Sequence, residues 1–431
     1  MPRTGARQSR SGGRANVLLV GMKFLSRRLF LLAPGLPTIL GSACGGRVLT
    51  GQLDTGSSEG GAADTQRAEA GPRSVGGQDA AHSVGGRDGA IDGNGAKGAL
   101  DDCPLPPPST DGGTSSDAGC LGEVTDAGGC LVTLATEQDN PTGLAVRGDT
   151  VVWGNSPPTP HDGSIVRVGT SGGTPVTLAS HLYVYAYDTI GVTLDDTYVY
   201  WASSGVARAP LAGGPVNTLY DDDNSDVLFP IRAGDNVYFV ETQFAFGFFS
   251  VSTVGTGFTG ISTYDAEVAA ASSSSTGLVY SVSSDMEGVP GRLISLPCGG
   301  TPSTLYTEPS GELGLVASAG EVVVFIKGSV GTGNLVSIPL EGGTVRLLVR
   351  DVYADSLATD GASVYWTDES REAVMKLDLA SGAPVALARY NGIGSIVGET
   401  ALALDATSVY WTSPSACSGT CGGAVMKLTP R

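Results

Sequence analysis

A short motif ending in tryptophan recurs through the C-terminal part of this 431-residue chain and constrains its fold. Full copies end at Trp153, Trp201, Trp366 and Trp411, and degenerate copies end at Phe239, Ser281 and Phe325. The copies lie about 43 residues apart, a period typical of β-structured repeat arrays. The repeat therefore predicts seven similar β units.

Each unit divides into four short strands, called A to D in chain order. In the sixth unit we expect strand A at 356–359, strand B at 364–367, strand C at 373–377 and strand D at 384–388. Asp360-Gly361 is a tight hairpin signal between strands A and B. Alternating apolar residues and many β-branched residues favour strands over helices in every unit.

The last unit lacks a strand D, because the chain ends shortly after Lys427-Leu428. The missing strand has a counterpart at the start of the repeat region, since Leu131-Val132-Thr133-Leu134-Ala135 nearly repeats 175–179. Ring closure removes the exposed sheet edges of an open array. We therefore predict an all-β fold over 130–431, a seven-bladed β-propeller of four-stranded blades closed by the N-terminal strand 131–135.

The sixth unit contains the tetrapeptide Tyr365-Trp366-Thr367-Asp368, followed by Val374-Met375-Lys376-Leu377-Asp378-Leu379. These residues resemble the YWTD propellers, the class-B repeats of proteins similar to the LDL receptor. The resemblance covers the repeat region and is weakest in the third to fifth units. It implies a propeller that serves as a binding scaffold, and the chain looks like a bacterial propeller lipoprotein.

Residues 1–43 read as an export signal, with Met22 as a candidate start. Lys23, Arg27 and Arg28 precede an apolar stretch at 29–40 that is too short to span a bilayer. Residues 26–31 resemble the twin-arginine consensus, although Sec export stays open. Gly41-Ser42-Ala43-Cys44 resembles a lipobox, which predicts lipidation of Cys44; the alternative is an ordinary cleaved signal that ends at Ala43.

Residues 44–129 are dominated by Gly, Ala, Ser and Asp. Such a composition offers too little apolar surface to offset the entropy of ordering. We predict a disordered tether that holds the propeller away from a membrane.

The charge and histidine content exclude some function classes. The net charge is −18, with 43 acidic and 25 basic residues, so we expect no nucleic-acid partner. Only three histidines, His82, His161 and His181, are present, which weighs against histidine-based acid–base chemistry.

The A–B and C–D turns of a blade share one face, here called the turn face, and the B–C and D–A loops share the other, the loop face. The turns are short and glycine-based, whereas the loops vary in length and carry tyrosines and acids. Variable loops on a rigid scaffold commonly hold binding sites. The candidate ligand-binding residues are Tyr187, Asp188, Asp221, Asp223, Asp226, Tyr264, Asp265, Tyr353 and Asp355. The alternative is that these residues are solvated loop ends.

Two further sites are candidates on ligand chemistry. Asp221, Asp223 and Asp226 offer oxygens for a nonstandard calcium site, although the EF-hand pattern is absent. Seven cysteines fit an exported protein. We predict a Cys417–Cys421 disulfide within one loop. Connectivity among the other cysteines stays open: Cys120 and Cys130 are close in sequence, and by elimination Cys103 could pair with Cys298.

These patterns favour a non-catalytic propeller that is exported to the bacterial cell envelope and anchored by lipid. We expect a monomer that binds an unidentified protein or carbohydrate through the loop face and needs no cofactor, with calcium left open. The alternative is an envelope enzyme, a lyase or hydrolase acting on a carbohydrate or cyclic peptide through the same face. No nucleophile elbow, phosphate loop or zinc-type cysteine spacing occurs in the sequence.

Overall fold

The computed structural model describes residues 120–431, except 158, 160, 185–188, 222–226, 242–246, 264–266, 275, 285–288, 299, 330–331, 390–401 and 414–421. The predicted signal segment, Cys44 and nearly all of the predicted tether lie outside the described residues. Every element assigned in the described part of the chain is a β-strand. No helix there has the length and apolar character needed to cross a membrane.

Four sheets of four antiparallel strands follow one another along the chain, and each contains strands that are consecutive in sequence. The first sheet consists of β3 (Pro141–Arg147), β4 (Thr150–Asn155), β5 (Gly163–Gly169) and β6 (Gly172–Leu182). The second consists of β7 (Gly191–Leu194), β8 (Tyr198–Ala202), β9 (Gly205–Pro210) and β10 (Asn217–Asp221). The third consists of β11 (Val227–Ala233), β12 (Asn236–Glu241), β13 (Gly247–Ser252) and β14 (Thr259–Thr263). The fourth consists of β15 (Glu267–Ser274), β16 (Gly277–Ser283), β17 (Gly291–Pro297) and β18 (Ser303–Glu308).

A seven-stranded sheet comes next, and one long strand runs through its middle. Its strands are β19 (Leu313–Ala319), β20 (Val322–Lys327), β21 (Thr332–Pro339), β22 (Arg346–Thr359), β23 (Ser363–Asp368), β24 (Ala373–Asp378) and β25 (Pro384–Arg389). The N-terminal part of β22 pairs with β21, from Arg346 to Tyr353. Its C-terminal part pairs with β23, from Ala354 to Thr359. Strand β22 is therefore the last strand of the unit formed with β19, β20 and β21, and the first strand of the unit formed with β23, β24 and β25.

The last sheet joins the two ends of the described chain. It contains β1 (Glu123–Val124), β2 (Cys130–Gln138), β26 (Leu402–Leu404), β27 (Val409–Ser413) and β28 (Gly423–Thr429), in the order β1-β2-β28-β27-β26. Strand β2 pairs antiparallel with β28, with Cys130 opposite Thr429 and Thr133 opposite Met426. A disulfide between Cys120 and Cys130 closes the segment that carries β1.

The first strand of each unit contacts the first strand of the next, in the series β3, β7, β11, β15, β19, β22 and β26, and β26 contacts β3. Antiparallel sheets grouped around their first strands in this way are the arrangement of a β-propeller. Successive hydrophobic clusters span neighbouring sheets, so the core lies between the sheets.

The repeat markers fill this core. Trp153, Trp201, Trp366 and Trp411 are at most 2% exposed. Trp153 packs in the cluster that links the last sheet to the first, and Trp411 packs in the cluster that links the sixth unit to the last sheet. Their fixed place in strand B predicts a packing role, and the structure confirms it.

Glycine makes the tight turns of the turn face. In the turn between β9 and β10, Gly213 and Gly214 have φ angles of 88° and 148°, in the region that disfavours residues with a Cβ. The pair Gly342 and Gly343 repeats this geometry in the turn between β21 and β22, with φ angles of 88° and 124°.

Candidate functional site

A small cavity lies between the first strands of five successive units. Its volume is about 40 Å³, enough for a water molecule or two but far below the volume of a typical ligand pocket. The lining residues are Gly191, Phe229, Pro230, Ile231, Ala270, Ala271, Leu315, Val316, Ser356 and Leu357. Ser356 carries the only hydroxyl in this lining, and its Oγ lies 2.9 Å from Thr367 Oγ1. The cavity is therefore mostly apolar.

Phe229 lines this cavity with a backbone conformation unusual for an aromatic residue. Its φ is 52°, in the left-handed region, where bulky side chains are outliers. The register between β11 and β12 shifts between Leu228 and Ile231, so Phe229 and Pro230 form a bulge. Bulges of this kind redirect side chains.

Three of the nine predicted loop-face residues fall within the described chain. Asp221 is the exposed last residue of β10. Tyr353 and Asp355 lie on β22, with exposed fractions of 46% and 5%. The other six predicted residues lie outside the described part of the chain, as does the predicted disulfide between Cys417 and Cys421; they are Tyr187, Asp188, Asp223, Asp226, Tyr264 and Asp265.

The sequence predicted a loop around Tyr353 and Asp355, whereas the structure has continuous strand there. Asp351 has a φ of 52°, and this local irregularity redirects the chain without ending the strand. The register between β22 and β23 shifts between Ala354 and Ser356, so Asp355 lies in a bulge, where it is buried. Of these two residues, only Tyr353 is exposed enough to contact a surface ligand.

Of the three predicted calcium ligands, only Asp221 lies within the described residues. In that part of the chain no group of three or more His, Cys, Asp or Glu side chains has the geometry to hold a metal ion. Asp223 and Asp226 lie outside it, so the calcium site stays a prediction.

A buried carboxylate that the sequence analysis missed lies on the loop face between the fourth and fifth units. Glu308, 5% exposed, ends β18, and its Oε2 lies 2.8 Å from Lys327 Nζ. Tyr306 donates its hydroxyl to the same oxygen at 2.7 Å, and Ser310 donates its Oγ–H to Oε1 at 3.0 Å. Burial opposes ionisation of Glu308, but the hydrogen bonds outweigh it and lower its pKa.

A second buried carboxylate ends the Tyr-Trp-Thr-Asp tetrapeptide of β23. Asp368 is fully buried and accepts the Trp366 indole N–H at 3.2 Å. Ser370 donates its hydroxyl to Oδ1 at 2.7 Å, and Arg371 Nη1 pairs with Oδ2, the oxygen that also accepts the indole N–H. Both buried acids thus have their oxygens occupied by donors of the protein itself.

The first sheet repeats this arrangement with an amide. Trp153 Nε1 lies 3.1 Å from Asn155 Oδ1 and 3.1 Å from Gln138 Oε1. Gln138 belongs to β2, so this contact joins the outer strand of the last sheet to the first sheet. A polar residue two positions after the repeat marker was the sequence signal for these groups, since Asn155, Lys327 and Asp368 all occupy that position.

The turn face carries a recurrent Asp–Tyr pair five residues apart. Tyr200 donates to Asp195 at 2.8 Å, and Tyr410 donates to Asp405 at 2.6 Å. Burial, followed by the neighbouring Asp195, raises the pKa of Tyr200 to about 12. These tyrosines stay neutral and serve as hydrogen-bond donors.

Comparison with known proteins leaves the family open. No family model matches the chain, and no curated protein matches it. A solved nidogen/laminin complex is 15% identical, covers 55% of this chain and 92% of that chain, and gives a TM-score of 0.41. A tricorn protease is 9% identical; the match covers 57% of this chain and 30% of the protease, with a TM-score of 0.47. A puromycin hydrolase is 12% identical; the match covers 65% of this chain and 51% of the hydrolase, with a TM-score of 0.46. These TM-scores are all below 0.5.

Proposed function

We propose that the repeat region is a closed ring of seven four-stranded blades. Strand β22 supplies the outer strand of one blade and the inner strand of the next, which divides the seven-stranded sheet into two blades. The cyclic contacts of the inner strands support closure. The pairing of β2 with β28 supports the N-terminal strand as the closing element.

The function that fits this fold best is binding without catalysis. The observation that carries it is the environment of two buried loop-face acids: Glu308 and Asp368 accept hydrogen bonds and form ion pairs with side chains of the protein itself. General acid–base catalysis needs a group that can exchange a proton with a substrate near neutral pH. The apolar central cavity supplies no such group from its lining.

The ligand site of this proposal is the loop face, and its ligand is a protein or a carbohydrate. Tyr353 presents a large amphipathic ring that is 46% exposed, and Asp221 presents an exposed carboxylate. Aromatic rings beside hydrogen-bonding groups suit both sugar rings and protein partners.

Export and lipid anchoring complete the proposal. The basic segment before the apolar stretch and the small residues before Cys44 support them. In cells, Cys44→Ser should move the protein from the membrane fraction to the soluble fraction. Unchanged membrane fractionation would remove the lipid anchor from the proposal.

Binding is tested by applying the full-length protein, purified in detergent, to an array of defined oligosaccharides and envelope proteins. Tyr353→Ala should weaken retention of a bound probe about tenfold. The matched control is Val385→Ala in β25, which alters a side chain of similar exposure, 49%, and should leave retention unchanged. Recovery of chemically altered probe after incubation, with turnover above the blank, would favour the enzyme alternative instead.

A further inference from the structure

A sulfur atom on the turn face is bonded to a part of the chain outside the described residues. Cys298 is disulfide-bonded. Its partner is not one of the other two described cysteines, because Cys120 and Cys130 are bonded to each other. The four remaining cysteines of the sequence are Cys44, Cys103, Cys417 and Cys421. The position of Cys298 in the fold therefore decides which of these four can reach it.

Cys298 lies at the turn-face end of the fourth sheet, in the turn between β17 and β18. Its backbone N–H donates to the Thr276 carbonyl at 2.8 Å, and Thr276 lies in the neighbouring turn between β15 and β16. The N–H of Gly300 donates to the Pro297 carbonyl at 3.0 Å and closes the turn that carries Cys298. Backbone hydrogen bonds thus fix this cysteine on the turn face.

Cys417 and Cys421 are attached to the opposite face of a different unit. They lie between Ser413, which ends β27, and Gly422, which precedes β28, so both ends of this segment are on the loop face. The last sheet packs against the sixth unit and the first sheet, through β22 and β3, whereas the fourth sheet packs against β11 and β19. Other units therefore separate this segment from Cys298.

The reach of this segment is too short for a bond to Cys298. A disulfide needs Cα atoms less than about 7 Å apart. An extended chain covers at most about 3.6 Å per residue, so Cys417 stays within about 14 Å of Ser413, and Cys421 is adjacent to Gly422. The 7 residues of β17 alone separate the two faces of the fourth sheet by about 23 Å. The partner of Cys298 therefore precedes the described residues.

Cys103 fits better than Cys44 on chain length and on chemistry. Cys103 precedes Cys120 by 17 residues, which reach about 56–61 Å when extended. Cys44 lies a further 59 residues upstream, and closing a longer loop costs more entropy. In addition, Cys44 is the proposed lipidation site, and an alkylated sulfur has no thiol to oxidise.

A bond from Cys103 to Cys298 places both ends of residues 103–120 on the same face. Cys120 is held by Cys130, which lies opposite Thr429 at the end of β28. Strand β28 is the third strand of its unit and ends on the turn face. Two sheets of four strands measure roughly 30 Å across their strands together, so a segment of this length can cross from one side of the ring to the other.

The composition next to Cys103 suits an extended segment. Four of the five residues that follow it are prolines, namely Pro104, Pro106, Pro107 and Pro108. Proline-rich chains favour the extended polyproline II conformation, at about 3.1 Å per residue. Because proline also restricts the unfolded chain, holding these residues extended costs less entropy than for other residues.

We propose that a disulfide joins Cys103 to Cys298 and ties residues 103–120 to the turn face at both ends, from the fourth sheet to the last. In this step each thiol gives up its proton and one electron to a disulfide oxidant of the export compartment, which is reduced to a dithiol. The bond links two sheets that have other units between them and so staples the ring. The assignment is independent of the ligand of the loop face; only the crossing distance uses the ring proposed above.

The test maps the disulfides of the full-length protein, produced with export to an oxidising compartment, purified without reductant and treated with iodoacetamide to block free thiols. Digestion with trypsin and Asp-N places the candidate partners on different peptides. The peptides are 102–110, 117–125, 126–138, 293–327, 405–427 and the one that contains Cys44. Mass spectrometry should find 293–327 linked to 102–110, and 117–125 linked to 126–138.

The assignment is wrong if 293–327 is linked to 405–427 or to the peptide that contains Cys44, or if its cysteine carries the iodoacetamide label. It is also wrong if the linked peptides come from a dimer that reductant dissociates on a denaturing gel, because the bond would then join two chains.

Variants test the bond independently of the peptide map. Cys103→Ser should yield one additional free thiol under denaturing conditions, and its melting temperature should fall by several degrees, since the bond restricts the unfolded chain. The matched control is the double variant Cys417→Ser/Cys421→Ser, which should keep 293–327 linked to 102–110. No additional thiol in Cys103→Ser, or an unchanged melting temperature, would overturn the proposal.

The loop-face proposal and this one are tested by different readouts. Cys103→Ser should retain a loop-face probe as the unsubstituted protein does, and Tyr353→Ala should give an unchanged disulfide map. Failure here and failure of the loop-face proposal are therefore distinguishable.

Discussion

At the scale of single residues, Asp405 of the turn face couples stability to pH. Asp405 accepts the Tyr410 hydroxyl and the backbone N–H groups of Thr407 and Ser408, at 2.6, 2.7 and 2.7 Å. Burial opposes ionisation of Asp405, but these donors outweigh it and lower its pKa. Because the pKa is lower in the folded than in the unfolded chain, ionised Asp405 stabilises the fold above about pH 4.

We expect Asp405→Asn to lower the free energy of unfolding by about 1–3 kcal/mol at pH 7, because charge-assisted hydrogen bonds are lost. The difference from the unsubstituted protein should shrink as the pH falls below about 4, where the carboxylate of the unfolded chain is protonated first, and should go on shrinking until the native carboxylate, whose pKa is lower, is protonated as well. Urea unfolding at pH 7 and pH 3 measures both values. Asp378→Asn is the control, since Asp378 is exposed and accepts the Ala380 N–H. An Asp405→Asn cost that is equal at the two pH values would contradict the coupling.

Residue roles were only partly predictable from the sequence. The tryptophan markers were assigned to the core correctly, because their place in strand B is fixed by the repeat. Glu308 and Asp355 were not predicted as buried, since a single sequence does not show which donors of a distant segment surround a carboxylate. Lys327, the partner of Glu308, comes from the next unit. Such a pairing depends on how sheets pack, which no local pattern encodes.

At the scale of elements, the strands themselves were the most predictable feature. Strand C of the sixth unit was expected at 373–377 and lies at Ala373–Asp378, and strand D was expected at 384–388 and lies at Pro384–Arg389. Strong alternation and flanking turn residues explain this agreement. The continuous strand β22 was missed, although no Gly or Pro occurs between Gly343 and Gly361 to end it.

Removal of β2 should be far more damaging than its size suggests. A chain that starts at Asn140 leaves the backbone groups of β28 unpaired along one edge and removes Gln138 from Trp153. We expect strong destabilisation or aggregation, whereas a chain that starts at Gly119 should melt like the full-length protein. Thermal melting followed by circular dichroism compares the two chains. A shift of only a few degrees, about 1 kcal/mol in a large domain, would refute the proposed ring closure.

At the scale of the whole molecule, the proposed ring makes every sheet depend on both neighbours. The four tryptophans lie in the first, second, sixth and last units, and the third to fifth units have none. We expect tryptophan fluorescence and far-ultraviolet circular dichroism to report one coincident unfolding transition, since a closed ring loses two interfaces whenever one blade opens. Two separated midpoints would show that the third to fifth units unfold by themselves, as expected for an open array.

The pairing of β2 with β28 also has a consequence in time. Thr133 and Met426 are partners across these strands, yet they are 293 residues apart in the chain. A ribosome that adds 5–20 residues per second needs roughly 15–60 s to make the partner after the first strand has emerged. During that interval the apolar residues Leu131 and Leu134 have no sheet to join. Folding therefore cannot finish during synthesis of the early repeats, and the nascent chain depends on protection until its last strand is made.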